Sequence, residues 1–294
     1  MGNSCIPGLL AAALLLSGTT LLPVGLQFRT GTEAVEIPVT VLQKNRPVVG
    51  LTAADFRILE DGHPVKITDA SIDARPLDVT LLVDTSESAE LSWVKADAGF
   101  ASAAAGVQRL LRPDDSLTIY RFAETWERVT ADAPPVVPGG QTAIFDTILS
   151  TLVEKPRSAR SITIALTDGL DTASTVPRGI TRAVADRSDA VIHVVALSLQ
   201  TQYSNFGFWF SGQGFSQFSA DLRDLATRTG GRFLVVDKQD AFLPTLSGLL
   251  DQARSRYHLR YTPPNSIPGW HEVEVSTRSK DHEVTHKRGY WRER

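Results

Sequence analysis

Three stretches of the chain end in oxygen-bearing side chains at points where the backbone must turn. Asp84, Ser86 and Ser88 alternate directly after the apolar run Val79 to Val83. Thr142 follows Pro138, Gly139, Gly140 and Gln141 and opens an apolar-periodic stretch beginning Ala143, Ile144, Phe145. Asp168 lies between Thr167 and Gly169, at the end of a second apolar run, Ile162 to Leu166. Two acids and three hydroxyls, with no nitrogen or sulfur among them, form a donor set suited to a hard divalent cation. Each stretch alone also has a plainer use, because Asp, Ser and Thr cap helices and shape turns after strands.

The elements that carry these residues follow from periodicity. Val79 to Val83, Ile162 to Leu166 and Ala190 to Leu197 are apolar without alternation, as in strands of a parallel sheet covered on both faces. Leu117 to Phe122 and Phe233 to Val236 read as further strands, with Glu127 to Thr130 as a short edge strand. Helical stripes lie between them. They comprise Phe100, Ala103, Val107 and Leu110; then Phe145, Ile148 and Leu152; then Ile180 and Val184 behind Pro177. Leu222, Leu225 and Ala226 precede Gly230 and Gly231, and Leu246, Leu249, Leu250 and Ala253 form a last stripe. Strand and helix in alternation predict a doubly wound α/β sheet. Loops leaving the carboxyl ends of such strands share one crest, so Asp84 and Asp168 are expected side by side.

At these residues the sequence resembles the von Willebrand factor A (vWA) domain and its metal-ion-dependent adhesion site. That pattern is D-x-S-x-S, a threonine behind glycines and a strand-end aspartate, filled by Asp84, Ser86, Ser88, Thr142 and Asp168. The resemblance implies an α/β, Rossmann-like vWA domain over 76–256, with a mostly parallel central sheet flanked by helices. It implies a Mg²⁺ site (Mn²⁺ or Ca²⁺ as substitutes). Ser86 and Ser88 would bind the ion directly, Thr142 would join when a ligand is engaged, and Asp84 and Asp168 would act through water or hydrogen bonds. Neutral direct ligands leave the ion electrophilic toward an Asp or Glu carboxylate of a protein partner. That is adhesion by a metal bridge, and the chain is read as no enzyme. One rival reading is a metal-free structural or assembly module of the cell envelope. Another is a Mg²⁺-dependent phosphotransferase with Asp84 as nucleophile. Haloacid-dehalogenase-like enzymes place a second acid two residues on, where this chain has Ser86, and that weighs against the phosphotransferase.

The flanks, 28–75 and 257–294, alternate as strands and are expected to pack together as one small β module built from both chain ends. They are similar to flanks in a bacterial exported vWA-related group abundant in acidobacteria. The matching residues are Val39, Val41, Gly50, Leu51, Asp55, Phe56, Glu60, Asp61 and Gly62 at one end. At the other they are Tyr257, Leu259, Tyr261, Thr262, Pro263, Gly289, Tyr290 and Trp291. The acids in the first flank read as turn formers rather than ligands. His282, Glu283 and His286 satisfy the zincin pattern H-E-x-x-H, whose chemistry needs a helix. In a strand, residues four apart stand roughly 13 Å apart, so these histidines read as solvated strand residues. His193 reads as a satisfied core histidine.

Residues 1–28 hold no charged side chain, and 1–27 read as a signal peptide or membrane anchor. Export to the periplasm, the cell envelope or the outside follows, with membrane contact only through that segment. Cys5 is the sole cysteine, so a mature chain without it forms no internal disulfide. A net charge of −3, with no basic stripe, gives no footprint for nucleic acid. No Walker loop, G-x-S-x-G elbow or G-x-G-x-x-G is present. The loop 198–215 carries Tyr203, Phe206, Phe208, Trp209 and Phe210, which on the crest would form an aromatic partner-binding surface.

Overall fold

The computed structural model describes residues 34–87, 99–134, 136–154, 160–167, 171–197, 213–236, 239–265 and 267–293. Alternating apolar residues in the first part form β1 (Val35–Gln43), β2 (Arg46–Pro47), β3 (Phe56–Glu60), β4 (His63–Val65) and β5 (Ile67–Ile72). Strand and helix then alternate: β6 (Asp78–Asp84), α1 (Gly99–Leu110), β7 (Ser116–Phe122), β8 (Trp126–Val129), α2 (Ile144–Glu154) and β9 (Ser161–Thr167). The series continues with α3 (Arg178–Arg187), β10 (Val191–Leu197), α4 (Gln213–Arg228), β11 (Phe233–Val236) and α5 (Gln239–Arg254). The last strands are β12 (Tyr257–Tyr261), β13 (Gly269–Thr277), β14 (Glu283–His286) and β15 (Gly289–Arg292).

The central sheet runs β11-β10-β9-β6-β7-β8 and is parallel except for the β7–β8 hairpin. Side chains of a strand alternate between faces, so each strand feeds two cores. Val79, Leu81, Val83, Ile162, Ile164 and Val195 pack on one face against Ala103 and Val107 of α1 and Leu246, Leu249 and Leu250 of α5. Leu82, Ala165, Ile192 and Val194 pack on the other against Ile144 and Ile148 of α2 and Leu222 and Leu225 of α4. The fold is α/β with a mostly parallel central sheet flanked by helices. The chain leaves β6 toward β7 and later returns to β9 on β6's other side, so the carboxyl end of β6 is a switch point in strand order.

The two chain ends form a small β module. β1 pairs antiparallel with β12 and β14, and β12 with β5. β3 pairs with β13 and β4, and β13 with β15. Ile37, Val39, Phe56, Ile58, Tyr257, Leu259, Tyr261 and Val273 are its core. The Tyr257 hydroxyl donates to the Val48 carbonyl and accepts from the Leu51 amide, both at 3.0 Å. The H-E-x-x-H stretch lies on β14 and the approach to it, so it has no zincin geometry. Its histidines are not solvated, however. Both are half-buried; His282 Nδ1 lies 3.1 Å from the Thr277 hydroxyl, and His286 Nε2 accepts the Val275 amide at 3.2 Å. His193 is a core residue, but only half satisfied. Its Nδ1 accepts the Arg232 amide at 3.2 Å, its Nε2 finds no partner among the described residues, and burial holds its pKa down at about 3.

Several contacts join sheet and module. Buried Arg160 donates Nε and Nη2 to the Arg75 carbonyl at 3.0 and 2.7 Å and Nη1 to the Ala253 carbonyl at 3.0 Å. Lys287 Nζ donates to the Ser188 carbonyl at 2.8 Å. At the end of α4, Gly230 has a φ of +81°, and a Cβ on Gly231 would sit 1.9 Å from the Ile192 carbonyl oxygen. Only glycine allows backbone to approach this closely.

Gly231→Ala is therefore expected to lower the unfolding free energy by about 2–3 kcal/mol, the usual scale for an over-packed interior, read from urea denaturation. Gly179→Ala in α3, where an added Cβ meets nothing within 4 Å, should leave stability unchanged or slightly raised. Asp73 hydrogen-bonds Arg75, which holds its carboxyl down at about 2. Its charged form favours the folded state above the unfolded carboxylate pKa, and that contribution disappears as pH falls from about 4 toward 2. Denaturation series at pH about 5 and pH about 2.5 should show a smaller acid-side loss for Asp73→Asn than for the wild type.

Candidate functional site

At the end of β6 the chain does not leave the sheet at once. The Thr85 amide donates to the Phe122 carbonyl at 2.8 Å, and its hydroxyl donates to the same oxygen at 3.1 Å. This keeps the loop alongside β7 for one more residue. The loop after β8 then clamps it from above. The Gly139 amide donates to the Thr85 carbonyl at 3.0 Å, and the Glu87 amide donates to the Gly140 carbonyl at 3.1 Å. Gly140 has a φ of +76°, the left-handed region that favours glycine, and this turn swings Thr142 inward at the start of α2. The Ala143 amide ties the turn to the Ala123 carbonyl at 2.9 Å.

The result is a buried contact between two hydroxyls distant in sequence. Thr142 Oγ1 donates to Ser86 Oγ at 2.9 Å, and the two residues are 1% and 0% exposed. Asp84 is 2% exposed. Its Oδ1 accepts the Ser86 amide at 3.0 Å, closing a turn on its own loop, and its Oδ2 accepts the Thr167 hydroxyl at 2.7 Å. Thr167 is the last residue of β9. Segments from β6, from the glycine turn and from the end of β9 therefore converge, as a shared crest requires.

A fourth segment, after β9, holds Thr142 from behind. The Thr142 amide donates to Thr172 Oγ1 at 2.9 Å, and its carbonyl accepts the Thr172 and Ala173 amides at 2.8 and 2.9 Å. Ser174 Oγ accepts the amides of Phe145 and Asp146 at 3.1 and 3.2 Å, satisfying donors at the start of α2 that have no partner inside the helix. Asp146 returns the contact by accepting the Thr175 amide and hydroxyl at 2.8 and 2.9 Å. Asp171 sits in the same segment with its side chain 6% exposed. Burial raises its pKa, against Ser174 and Arg178, and Oδ1 makes no hydrogen bond among the described residues.

Of the five residues read from sequence as the metal set, the structure brings Asp84, Ser86 and Thr142 together; Ser88 and Asp168 lie outside the described residues, as do Tyr203, Phe206, Phe208, Trp209 and Phe210. Thr167, Asp171 and Thr172 were not singled out by sequence reasoning. Thr167 carries a signal in hindsight, since it is the polar end of an apolar strand beside Asp168. Thr172 carries none, because its role depends on a contact 30 residues away.

No family model matches the chain, and no curated protein is similar to it in sequence. Solved structures are similar in backbone arrangement. One is an aerotolerance-related membrane protein from Bacteroides fragilis, 14% identical, covering 60% of this chain and 99% of that one, with a TM-score of 0.40. A second is the conserved hypothetical protein BatB from Bacteroides thetaiotaomicron, 13% identical, covering 60% and 98%, with a TM-score of 0.40. A third is a von Willebrand factor type A protein from Catenulispora acidiphila, 10% identical, covering 90% and 76%, with a TM-score of 0.46.

Proposed function

We propose that the crest of the central sheet binds Mg²⁺ and, through it, an Asp or Glu carboxylate of a protein partner. The observation that carries this reading is the 2.9 Å contact between the hydroxyls of Ser86 and Thr142. Neighbouring ligands of an octahedral ion with bonds of about 2.0–2.1 Å stand about 2.9 Å apart, so these oxygens have the spacing that Mg²⁺ demands. All donors here are oxygens, as this hard ion prefers. The donor set therefore fits the ion.

Ser86 and Thr142, with Ser88, would hold the ion directly. Asp84 would act on the hydroxyl loops rather than as a ligand, since its Oδ1 fixes the Ser86 amide and its Oδ2 fixes Thr167. Asp168, the residue after Thr167, would take the same supporting role through water. Thr172 holds the Thr142 backbone, so the hydroxyl reaches its place without rearrangement of the loop. When bound, the ion supplies an electrophilic position that a carboxylate fills. The chemistry is binding with no bond cleaved. Asp84 is poorly placed as a phosphoryl acceptor, because both carboxylate oxygens are turned to intramolecular donors.

An exported protein of the cell envelope suits this reading, and the apolar, uncharged residues 1–28 support export. No helix among the described residues is long and apolar enough to cross a membrane. The aromatic residues Tyr203 to Phe210 fall between β10 and α4 in sequence, and side chains there would line the rim where the partner docks.

Calorimetry on the full chain should show one Mg²⁺ site, weakened at least tenfold in Ser86→Ala and lost in Asp84→Ala; equal heats in wild type and Ser86→Ala would refute the site. A partner retained from envelope extract on immobilised protein should elute with chelator and fail to bind the Ser86→Ala column. Changing Trp209 and Phe210 together to Ser should weaken that retention at least tenfold while leaving the Mg²⁺ heat intact. Undiminished retention removes the aromatic rim from the interface.

A further inference from the structure

Away from the crest, a second group of donor atoms meets where the β3–β4 turn lies against β13. Glu60 ends β3; Asp61 makes the turn with a φ of +49°, ahead of Gly62 at +77°. The Asp61 amide donates to the Glu272 carbonyl and Asp61 Oδ1 accepts the Glu272 amide, both at 2.9 Å, which locks the turn onto β13. This places Asp61 Oδ2 at 2.8 Å and Glu60 Oε1 at 3.7 Å from Nδ1 of His271. Ligand atoms of the three residues all lie within 4.8 Å of one another.

Two features set this group apart from an ordinary ion pair. The Glu60 side chain is wholly buried, and its Oε1 has no hydrogen-bond partner among the described residues; Oε2 accepts the Tyr290 hydroxyl at 3.2 Å. The Tyr261 hydroxyl is close to the same carboxylate but makes no aligned hydrogen bond. A buried carboxylate oxygen without a hydrogen bond is costly, and a bound cation would offset that cost. The second feature is the far side of the imidazole. His271 Nε2 donates to the Ile267 carbonyl at 2.7 Å, and the ring stacks on Tyr290 at 5.3 Å. A carbonyl on one nitrogen fixes the ring so that the other points at the acids, the arrangement seen behind metal-bound histidines.

We infer that Glu60 Oε1, Asp61 Oδ2 and His271 Nδ1 form a three-ligand site for a Zn²⁺-class divalent cation, with solvent completing the coordination. One nitrogen and two carboxylate oxygens suit zinc better than Mg²⁺ or Ca²⁺, which take oxygens alone. Tetrahedral bonds of about 2.1 Å put ligand atoms about 3.4 Å apart, between the 2.8 and 3.7 Å observed here. Asp61, 43% exposed, would give the ion a route from solvent. The ion would replace the Nδ1 proton of His271, neutralise buried Glu60 and staple the turn to β13. Through Tyr290 it would also bear on β15.

The full chain, titrated with Zn²⁺ in excess Mg²⁺, should bind one ion. Asp61→Asn keeps the Oδ1 bond to Glu272 and so should fold; it and Glu60→Gln should each weaken zinc at least 100-fold, while Tyr290→Phe, one step removed, should weaken it about 10-fold. Ser86→Ala should bind zinc as the wild type does, which separates this site from the crest. Nitrogen NMR of the His271 ring should show zinc shifting Nδ1 and not Nε2. Absence of zinc binding in the wild type, or binding unchanged by Asp61→Asn, means the group is an ion pair only and overturns the inference.

Discussion

The backbone bonds that fix Ser86 and Thr142 are the constraint on which the crest depends, because they set the hydroxyl contact between the two. Each partner is held by backbone rather than by the other. Ser86 is fixed because its amide is bound by Asp84, and Thr142 because its amide and carbonyl are both bound by Thr172 and Ala173. A hydrogen bond between two hydroxyls is weak in net terms, on the order of 1 kcal/mol. It does not hold the loops together; the loops hold it. Two uncharged oxygens are thereby kept at the spacing of neighbouring ligands with no covalent link and no charge at the contact itself. The same arrangement explains why the acid lies beneath. A carboxylate whose oxygens are taken by an amide and a hydroxyl keeps its negative field near the crest without neutralising an ion directly.

That preorganisation requires a rigid support, and the parallel sheet supplies it. β6 is paired on both sides, to β7 and β9, and residues Val79 to Asp84 are all buried. Strands of this kind carry no surface along their length, so polar chemistry is confined to their ends. The module made from the chain ends braces the opposite flank. Arg160 is a buried cation that spends its donors on the carbonyls of Arg75 and Ala253, and burial pushes its pKa down. Lys287 does the same from β-module to α3's end, through Ser188. These cations serve as donors to backbone oxygens and fix where the two layers of the chain meet.

Much of this was legible in the sequence, for identifiable reasons. Unbroken apolar runs ending in Asp84 and Thr167 mark doubly covered strands, and the stripe Phe145, Ile148 and Leu152 marks a helix, because both patterns depend on neighbours a few residues away. The supports of the site were not legible. Thr167, Thr172 and Ser174 are common turn and strand-end residues, and their roles exist only after the loops meet. Local alternation puts the histidines of H-E-x-x-H in a strand rather than a helix, as found, but it also marks them as solvated, which they are not. Their half-buried setting comes from β13 packing alongside, which the local alternation does not encode. Glu60 and Asp61, ahead of Gly62, read in sequence as turn acids. Asp61 is one, as its positive φ shows, but the turn also aims both carboxylates at a histidine 210 residues away.

The two donor groups differ in a way that would keep their ions apart. The crest offers hydroxyls, whose uncharged oxygens would suit only a hard cation that retains most of its water, and they would leave its charge unspent for a partner. The turn offers two carboxylates and an imidazole, which together cancel a divalent charge inside the protein and leave little for anything beyond. An ion at the turn would therefore brace, while an ion at the crest would recruit. Zinc gains little at the crest, where no nitrogen or sulfur meets it. Magnesium gains little at the turn, where it must shed water for an imidazole it does not favour. Separation by donor chemistry needs no gate or exclusion device, and it would let one chain hold a structural cation and an exchangeable one in the same medium.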